Sequence, residues 1–232
     1  MSVTDRLEAA WDSPKPSLPT RAFYAAGRAL LVGFCRVWLR LVVVGRDKIP
    51  ASGPFIMAPV HRSNLDTPIV AALTRRPLRY LGKDSLWKAN RSAGWVLSAL
   101  GGVPVARGSA DRDALRRCMR ILRAGQPLVL FPEGTRRQGP SVEPLFDGPA
   151  YLAVKEGVPI VPVGIGGSEG AQQKGRKFIR PVKTCVIAGD PIVPPKVDEG
   201  RAAARPAVKA LTEQLHIEIQ KLFDEARARV DS

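Results

Sequence analysis

The chain has 232 residues, and 45% of them are hydrophobic, which is enough apolar material for the core of one domain. This composition excludes intrinsic disorder as the main description of the chain. Lys and Arg number 36 against 21 Asp and Glu, so the formal net charge is +15. A basic excess of this size indicates an anionic partner, which nucleic acid, an anionic membrane, an acidic carrier protein or a phosphorylated substrate would each satisfy.

The N-terminus and the cysteines both indicate a protein that stays inside the cell. Residues 1–20 contain three prolines and predict a flexible leader. Asp5 and Glu8 stand where a secretion signal carries positive charge. The cysteines form no CxxC pair and have no nearby His, so we expect neither a zinc site nor a disulfide framework, and a reducing compartment is the simpler interpretation. These residues are Cys35, Cys118 and Cys185.

Residues 21–40 predict an amphipathic helical segment. Arg28, Arg36 and Arg40 fall on one side of the helix, and large apolar side chains occupy the other. The arginines interrupt the apolar stretch, so we do not expect it to span a bilayer as a simple helix. Two interpretations stay open: a helix that packs on the core with a solvated edge, or a helix that lies in a membrane interface with its arginines near lipid phosphates. The apolar side consists of Leu30, Leu31, Phe34, Val37, Trp38 and Leu41.

Short apolar runs then alternate with helical patterns, which predicts one α/β domain over residues 41–232 with a mixed central sheet flanked by helices. The predicted strands are 41–44, 55–59, 78–81, 103–106, 128–131, 160–164 and 184–188. The predicted helices are 68–74, 93–100, 112–123, 149–156 and a long C-terminal helix, whose apolar residues repeat at steps of three and four. That apolar stripe comprises Val208, Leu211, Leu215, Ile219, Leu222, Ala226 and Val230.

His61 follows an apolar run and opens the segment HRSNLDTP, in which Thr67 and Pro68 predict the cap and first residue of a helix. A strand end that feeds a helix start places His61 and Asp66 on one tight loop. There the carboxylate can accept a hydrogen bond from one ring nitrogen and leave the other free to take a proton, as a general base requires. The spacing makes His61 and Asp66 candidates for a catalytic pair, although a His and an Asp five residues apart also occur often by chance.

A second motif, FPEGTR at 131–136, also follows directly on an apolar strand. Its Pro and Gly force a turn. Glu133 can fix neighbouring backbone or arginine groups, and Arg136 offers a forked donor suited to phosphate. Taken alone, the motif also fits an ordinary capped loop.

The order and spacing of these motifs resemble the glycerolipid acyltransferase family, and most of all its 1-acylglycerol-3-phosphate acyltransferases. H-x4-D is followed seventy residues later by FPEGTR and then by the run VPIVPV at 158–163. Between the two motifs, a glycine-led block at 101–107 ends in Arg107, as the family's remaining block does, and Lys83 matches a basic position that the family uses near the acceptor phosphate. The resemblance extends over residues 41–192.

This resemblance implies transfer of a fatty acyl group from a thioester, acyl-CoA or acyl carrier protein, to the free hydroxyl of 1-acylglycerol 3-phosphate, giving phosphatidic acid. It implies a phosphorylated lysolipid as acceptor, an anionic membrane surface as partner and a peripheral or monotopic place on the cytoplasmic face of the cell membrane. We expect no metal and no cofactor beyond the thioester co-substrate, because a thioester is already activated. The substrate-binding residues implied are Glu133, Gly134, Thr135, Arg136, Lys83 and Arg107.

Three further expectations concern the surroundings of this site. Ser63 lies on the same tight loop as His61 and no GxSxG motif occurs, so we expect direct attack by the acceptor, with Ser63 as a hydrogen-bonding loop residue. His216 lies beside the apolar stripe of the C-terminal helix and is predicted to be structural. Residues 86–100, which include two tryptophans, are predicted to line the groove for the acyl chain.

Two alternative functions stay open. One is an acyltransferase of the same family that uses glycerol 3-phosphate or another lysolipid as acceptor. The other is a basic membrane-binding protein without catalysis, which would have no use for two polar motifs in this order. Nucleic acid is disfavoured as a partner, because only 6% of the residues are aromatic and no basic stripe is interleaved with aromatic residues.

Overall fold

The computed structural model describes residues 18–105, 111–172, 175, 178–196 and 205–231. In this part of the chain, seven strands form one sheet: β1 Val42–Val44, β2 Ile56–Pro59, β3 Arg79–Lys83, β4 Gly102–Val105, β5 Leu128–Val129, β6 Ile160–Gly166 and β7 Cys185–Ala188. Their order across the sheet is β1-β7-β6-β2-β5-β3-β4. The five strands from β6 to β4 are parallel neighbours, whereas β7 runs antiparallel to β6 and β1 runs parallel to β7. The predicted mixed sheet is therefore confirmed.

Helices flank this sheet, and most lie where the sequence predicts them. They are α1 Leu18–Trp38, α2 Asp66–Val70, α3 Ser85–Ala89, α4 Arg91–Ala99, α5 Asp111–Arg123, α6 Gly148–Glu156, α7 Ser168–Ala171 and α8 Arg205–Asp231, with 3₁₀ turns at Arg46–Lys48 and Ala71–Leu73.

Three details of the helices differ from the expectation. Residues 18–20, which we assigned to the leader, form the first turn of α1, and residues 1–17 lie outside the described part. Helix α2 begins at Asp66 with Leu65 at the cap position, so the prediction of Thr67 as cap was wrong. Pro68 is tolerated there because the first turn of a helix does not need its N–H groups. The short helices α3 and α7 were not predicted.

The core lies around β2 and β6, whose residues are all buried. Helix α8 packs on β6 through its predicted stripe, which is buried from Val208 to Ala226. Glycines in β6 allow this close approach: a Cβ on Gly164 would overlap the backbone of Leu222, and one on Gly166 would overlap the backbone of Ala226. The close packing of α8 therefore holds β6 in place. Strand β6 adjoins β2, the strand that precedes His61.

Helix α1 turns its larger apolar side chains outward. Tyr24, Val32 and Cys35 are buried against the domain, whereas Leu30 is 76% exposed and Val37 is 81% exposed. The apolar side predicted from the sequence is therefore mostly on the surface rather than in the core. None of the helices in the described residues is long and apolar enough to cross a membrane.

Candidate active site

The predicted site residues lie at one edge of the sheet. His61 follows β2, the loop 131–136 follows β5, and Lys83 is the last residue of β3. These strands are parallel neighbours, with β5 between β2 and β3. Because the carboxyl ends of parallel strands meet at the same edge, segments far apart in sequence come together there. Arg107 lies outside the described residues, and β4, which precedes it, ends at Val105.

His61 and Asp66 form a hydrogen-bonded pair, with His61 Nδ1 2.9 Å from Asp66 Oδ2. The same carboxylate oxygen accepts the backbone N–H of Arg62 at 2.6 Å and that of Ser63 at 2.7 Å, and Asp66 is fully buried. A carboxylate oxygen only accepts, so the ring proton lies on Nδ1 and Nε2 is left as an acceptor. The Phe131 ring stacks on the imidazole with the centroids 4.0 Å apart. The His61 side chain is 17% exposed, so it can be reached from outside while its partner cannot.

Glu133 is buried beneath the His61 loop and joins the two motifs. Its Oε2 accepts the His61 backbone N–H at 2.9 Å and Arg62 Nη1 at 2.8 Å. Its Oε1 lies 2.9 Å from Arg62 Nη1 and accepts the Glu143 N–H at 3.2 Å. The Arg137 N–H donates in turn to the His61 carbonyl at 2.9 Å. Both backbone groups of His61 are thus bonded to the second motif or to the residue that follows it, and this position favours loop organisation as the role of Glu133.

Arg62 supports the loop that carries His61, and the sequence did not predict this. Only 1% of it is exposed, and its guanidinium forms an ion pair with Glu133. Nη2 donates to the Ser141 carbonyl at 2.9 Å, and the guanidinium lies 4.8 Å from the centre of the Phe223 ring in α8. The sequence offers one signal for this role, a charged residue directly beside the predicted base. The carboxylate that allows its burial stands 71 positions further along the chain, so no local pattern shows the ion pair.

A cavity of about 810 Å³ lies beside His61 and is lined mainly by apolar side chains. Helices α5 and α6 contribute much of its wall. The segment 86–100, predicted to line the acyl groove, contributes none of its described residues to this cavity, and its role in acyl binding stays a prediction. Trp95 packs instead on Phe23 of α1, with ring centroids 4.9 Å apart. The apolar part of the wall includes Leu81, Leu115, Cys118, Phe131, Phe146 and Leu152.

The remaining predicted residues lie around the mouth of this cavity or one strand away. Gly134 is part of the wall and has φ +67, and a Cβ there would come within 2.7 Å of the Phe146 ring. Thr135 is exposed and Arg136 is half-buried on the same loop. Lys83 is exposed at the end of β3. The structure therefore brings the 131–136 loop against His61 and leaves Lys83 on the far side of β5.

Ser63 and His216 have partners that fit structural roles. Ser63 Oγ donates to the Gln172 carbonyl at 3.1 Å and accepts the Leu65 N–H at 3.3 Å, so the hydroxyl braces the loop. His216 Nε2 lies 2.9 Å from the Val142 carbonyl oxygen. Within the described ranges, no three His, Cys, Asp or Glu side chains are grouped so that they could hold a metal ion.

The sequence model of the family described as "Acyltransferase" matches residues 40–166, which is more than half of the chain and includes both motifs. The chain belongs to the acyltransferase family. The resemblance inferred from the two motifs is thereby confirmed.

Individual members of the acyltransferase family resemble the chain over most of this domain. It is 30% identical over 129 residues to 1-acyl-sn-glycerol-3-phosphate acyltransferase BAT2, chloroplastic, of Brassica napus. This match covers 54% of this chain and 37% of that protein. It is 32% identical over 164 residues to the lyso-ornithine lipid O-acyltransferase of Pseudomonas aeruginosa, which covers 68% of this chain and 61% of that protein. The chain thus spans less than two thirds of the length of either relative.

A solved structure supports the same fold. The crystal structure of the 1-acyl-sn-glycerophosphate (LPA) acyltransferase PlsC from Thermotoga maritima superposes with a TM-score of 0.68 at 26% sequence identity. The match covers 87% of this chain and 80% of that one. The single α/β domain with a mixed sheet and an N-terminal helix is therefore shared with that acyltransferase.

Proposed function

We propose that this chain transfers a fatty acyl group from an acyl thioester to the free hydroxyl of 1-acylglycerol 3-phosphate, giving phosphatidic acid. The observation that carries the proposal is the His61–Asp66 pair at the wall of a large, mainly apolar cavity. A cavity of this kind suits an acyl chain, because burying each CH₂ group contributes about 0.8 kcal/mol. The acceptor is the one for which the Brassica napus and Thermotoga maritima proteins are named.

In this proposal His61 acts as general base. Nε2 takes the proton of the acceptor hydroxyl while the hydroxyl oxygen attacks the thioester carbonyl, so that the ester C–O bond forms and the C–S bond breaks. The imidazolium then returns its proton to the leaving thiolate, and no acyl-enzyme is needed. Asp66 stabilises the imidazolium with its charge. Base catalysis of this type contributes roughly 10²–10⁴ in rate.

Basic side chains would position the acceptor. Arg136 is proposed to bind the acceptor phosphate, with Lys83 and Arg107 as further cations, because a guanidinium offers paired donors to phosphate oxygens. Gly134 and Thr135 would contact the acceptor from the same loop. Holding the hydroxyl near Nε2 of His61 in this way accelerates the reaction by proximity.

The oxyanion that forms during attack needs hydrogen-bond donors. The backbone N–H of His61 already donates to Glu133, and those of Arg62 and Ser63 donate to Asp66. These three groups are therefore engaged, and the donors are expected on another segment at the cavity mouth.

A lysolipid other than 1-acylglycerol 3-phosphate is a second candidate acceptor. The Pseudomonas aeruginosa relative is named for lyso-ornithine lipid and is 32% identical to this chain. Purified protein should be assayed with 1-acylglycerol 3-phosphate, glycerol 3-phosphate and lyso-ornithine lipid, each with acyl-CoA and with acyl carrier protein thioesters. Turnover that does not require an acceptor phosphate would contradict the role assigned to Arg136.

We also infer that the chain attaches peripherally to the cytoplasmic face of the membrane through α1. Another exposed apolar side chain lies near the end of α1. Trp38 Nε1 donates to the Ile179 carbonyl at 3.2 Å, and Phe178, next to Ile179 in the chain, is 88% exposed. Arg40 is exposed at the end of the helix. An apolar helix face with basic residues beside it is typical of interfacial helices.

Partition onto anionic vesicles tests this attachment. Leu30→Glu with Val37→Glu should lower the partition coefficient at least about tenfold, because two apolar contacts are lost and two negative charges are added. Ile217→Glu with Val193→Glu is the matched control, since it adds the same two charges at positions outside α1 that are 65% and 77% exposed. Equal loss in both proteins would show that charge alone controls binding and would contradict attachment through α1.

His61→Ala is the decisive variant for catalysis. We expect its kcat to fall by roughly 10²–10⁴ and its thermal unfolding to stay close to that of the wild type. Asp66→Asn should also lower kcat, because an amide can no longer fix the ring tautomer. His216→Ala controls for the loss of an imidazole outside the cavity. Undiminished turnover in His61→Ala would falsify the proposed general base, and a chain without turnover on any acceptor would favour the non-catalytic membrane-binding alternative.

A further inference from the structure

A second cavity, of about 310 Å³, lies between α1 and the 3₁₀ turn at Ala71–Leu73. We call it the arginine pocket, because four arginine side chains line it. None of its lining residues is shared with the cavity beside His61. The four are Arg28 and Arg36 from α1, Arg46 from the turn after β1, and Arg75 from the loop before β3.

The arginine pocket lies at the edge of the sheet opposite to the candidate active site. Arg75 precedes β3, so it lies near the amino end of a strand whose carboxyl end carries Lys83. Strand β1 runs antiparallel to the five parallel strands, so Arg46, which follows it, belongs to the same amino-end edge. A ligand in this pocket would therefore be separated from His61 by the length of the strands.

Within the described part of the chain, the four positive charges have no acidic counterpart. Arg28 Nε donates to the Ala71 carbonyl at 2.9 Å, and Arg46 Nη2 donates to the Ala72 carbonyl at 2.7 Å. These bonds hold two of the guanidinium groups in place and leave their other N–H groups for a ligand. Among the residues that the structure describes, none of the four arginines forms an ion pair with Asp or Glu.

The charges are close enough to affect one another. Burial lowers the pKa of Arg46, and the positive charges of Arg36, Arg28 and Arg75 lower it further. Because arginine stays protonated in proteins, this repulsion is not relieved by loss of a proton. An anion between the guanidinium groups would relieve it.

We propose that the arginine pocket binds a phosphate group, carried by a lipid headgroup or free in solution, at a site separate from that of the acceptor. Guanidinium groups bind phosphate through paired, charge-assisted hydrogen bonds. The volume lies within the range of about 300–1,000 Å³ that is usual for small-ligand sites. Arg36 is followed by the exposed Val37, about 100° further round the helix, so the pocket adjoins the surface proposed to meet the membrane. This inference does not depend on acyl transfer.

The test compares Arg36→Ala/Arg75→Ala with Arg116→Ala/Arg120→Ala, which removes the same charge from exposed positions of α5. Arg36 and Arg75 are chosen because Arg28 and Arg46 also bond to the backbone. One arm measures equilibrium binding of inorganic phosphate to the full chain. The other measures partition onto phosphatidylcholine vesicles and onto vesicles of equal parts phosphatidylcholine and phosphatidylglycerol.

We expect the pocket variant to bind phosphate at least about tenfold more weakly than the α5 variant, because two charge-assisted contacts are lost. A selective loss on phosphatidylglycerol vesicles identifies a lipid headgroup as the source. A selective loss for inorganic phosphate alone identifies a free phosphate. If the two double variants behave alike in both arms, the arginines contribute only general charge and the proposal is overturned. His61→Ala should retain this binding, so failure of the proposed reaction and failure of the pocket are distinguishable.

Discussion

Replacement of Glu133 by Gln would test whether the buried ion pair supports the candidate site. The variant keeps nearly the same shape but removes the charge that faces Arg62, and the two side chains are 0% and 1% exposed. The arginine cannot reach water, so its charge stays buried without a partner. Removing one member of such a pair costs about 3–5 kcal/mol. We therefore expect Glu133→Gln to lower the free energy of unfolding by that amount in urea denaturation, with an unchanged m value.

Two companion variants make this expectation refutable. Glu225→Gln breaks the ion pair between Glu225 and Arg229, which are 44% and 48% exposed. This variant should lower the free energy of unfolding by at most about 0.5 kcal/mol. Arg62→Met combined with Glu133→Gln removes both charges and should recover much of the lost stability. A loss in Glu133→Gln as small as that in Glu225→Gln would refute the reasoning, and so would a double variant as unstable as the sum of its parts.

Three further predictions concern packing, the cavity and pH. Gly164→Ala should lower the free energy of unfolding by about 1–3 kcal/mol, because the new Cβ would overlap the backbone of α8. Gly33→Ala is the control, because nothing lies within 4 Å of the new Cβ there. Both variants are measured by thermal unfolding, and an equal loss of stability in Gly33→Ala would contradict the close contact between Gly164 and α8. Cys118→Leu should shift kcat/KM toward shorter acyl donors by about tenfold, since it fills part of the cavity; an unchanged ratio across a donor series would show that the acyl chain lies elsewhere. Burial raises the pKa of the Cys35 thiol to about 11 and that of the Cys118 thiol to about 12, above the ordinary value of 9.0. The stability that these neutral thiols contribute is complete below pH 9.0 and is lost as the pH rises through their pKa values in the folded protein. In urea denaturation at rising alkaline pH, the free energy of unfolding of Cys118→Ala should therefore fall less than that of the wild type.

The strands and the His61–Asp66 hydrogen bond could be predicted because each depends mainly on local sequence. A short apolar run such as 55–59, bounded by Gly and Pro, favours a buried strand, and His61 and Asp66 are close in the chain. The order of the strands depends on pairings between distant segments, which no local pattern contains. Helix α3 was missed because it has only five residues and its cap residue, Asp84, makes no side-chain cap bond.

The parts of the site that were missed depend on distant contacts. Arg62 could not be assigned a role from its neighbours, since a solvated arginine and a buried one have the same local sequence. The cap at Thr67 was wrong because α2 already begins at Asp66, whose carboxylate bonds to the loop and the imidazole. The cavity beside His61 was not predicted because its wall is assembled from several segments, of which α5 shows only an ordinary amphipathic pattern.

The bonds on both sides of the His61 backbone have a consequence for any attempt to transplant or redesign the site. Its N–H is bonded to Glu133 and its carbonyl to the Arg137 N–H, so the loop after β5 helps to fix the backbone that carries the imidazole. A designer who moves the HRSNLD segment alone into another α/β scaffold would carry over the reactive ring but not its position. The smallest transferable unit is both loops together, on two strands that are adjacent in the sheet.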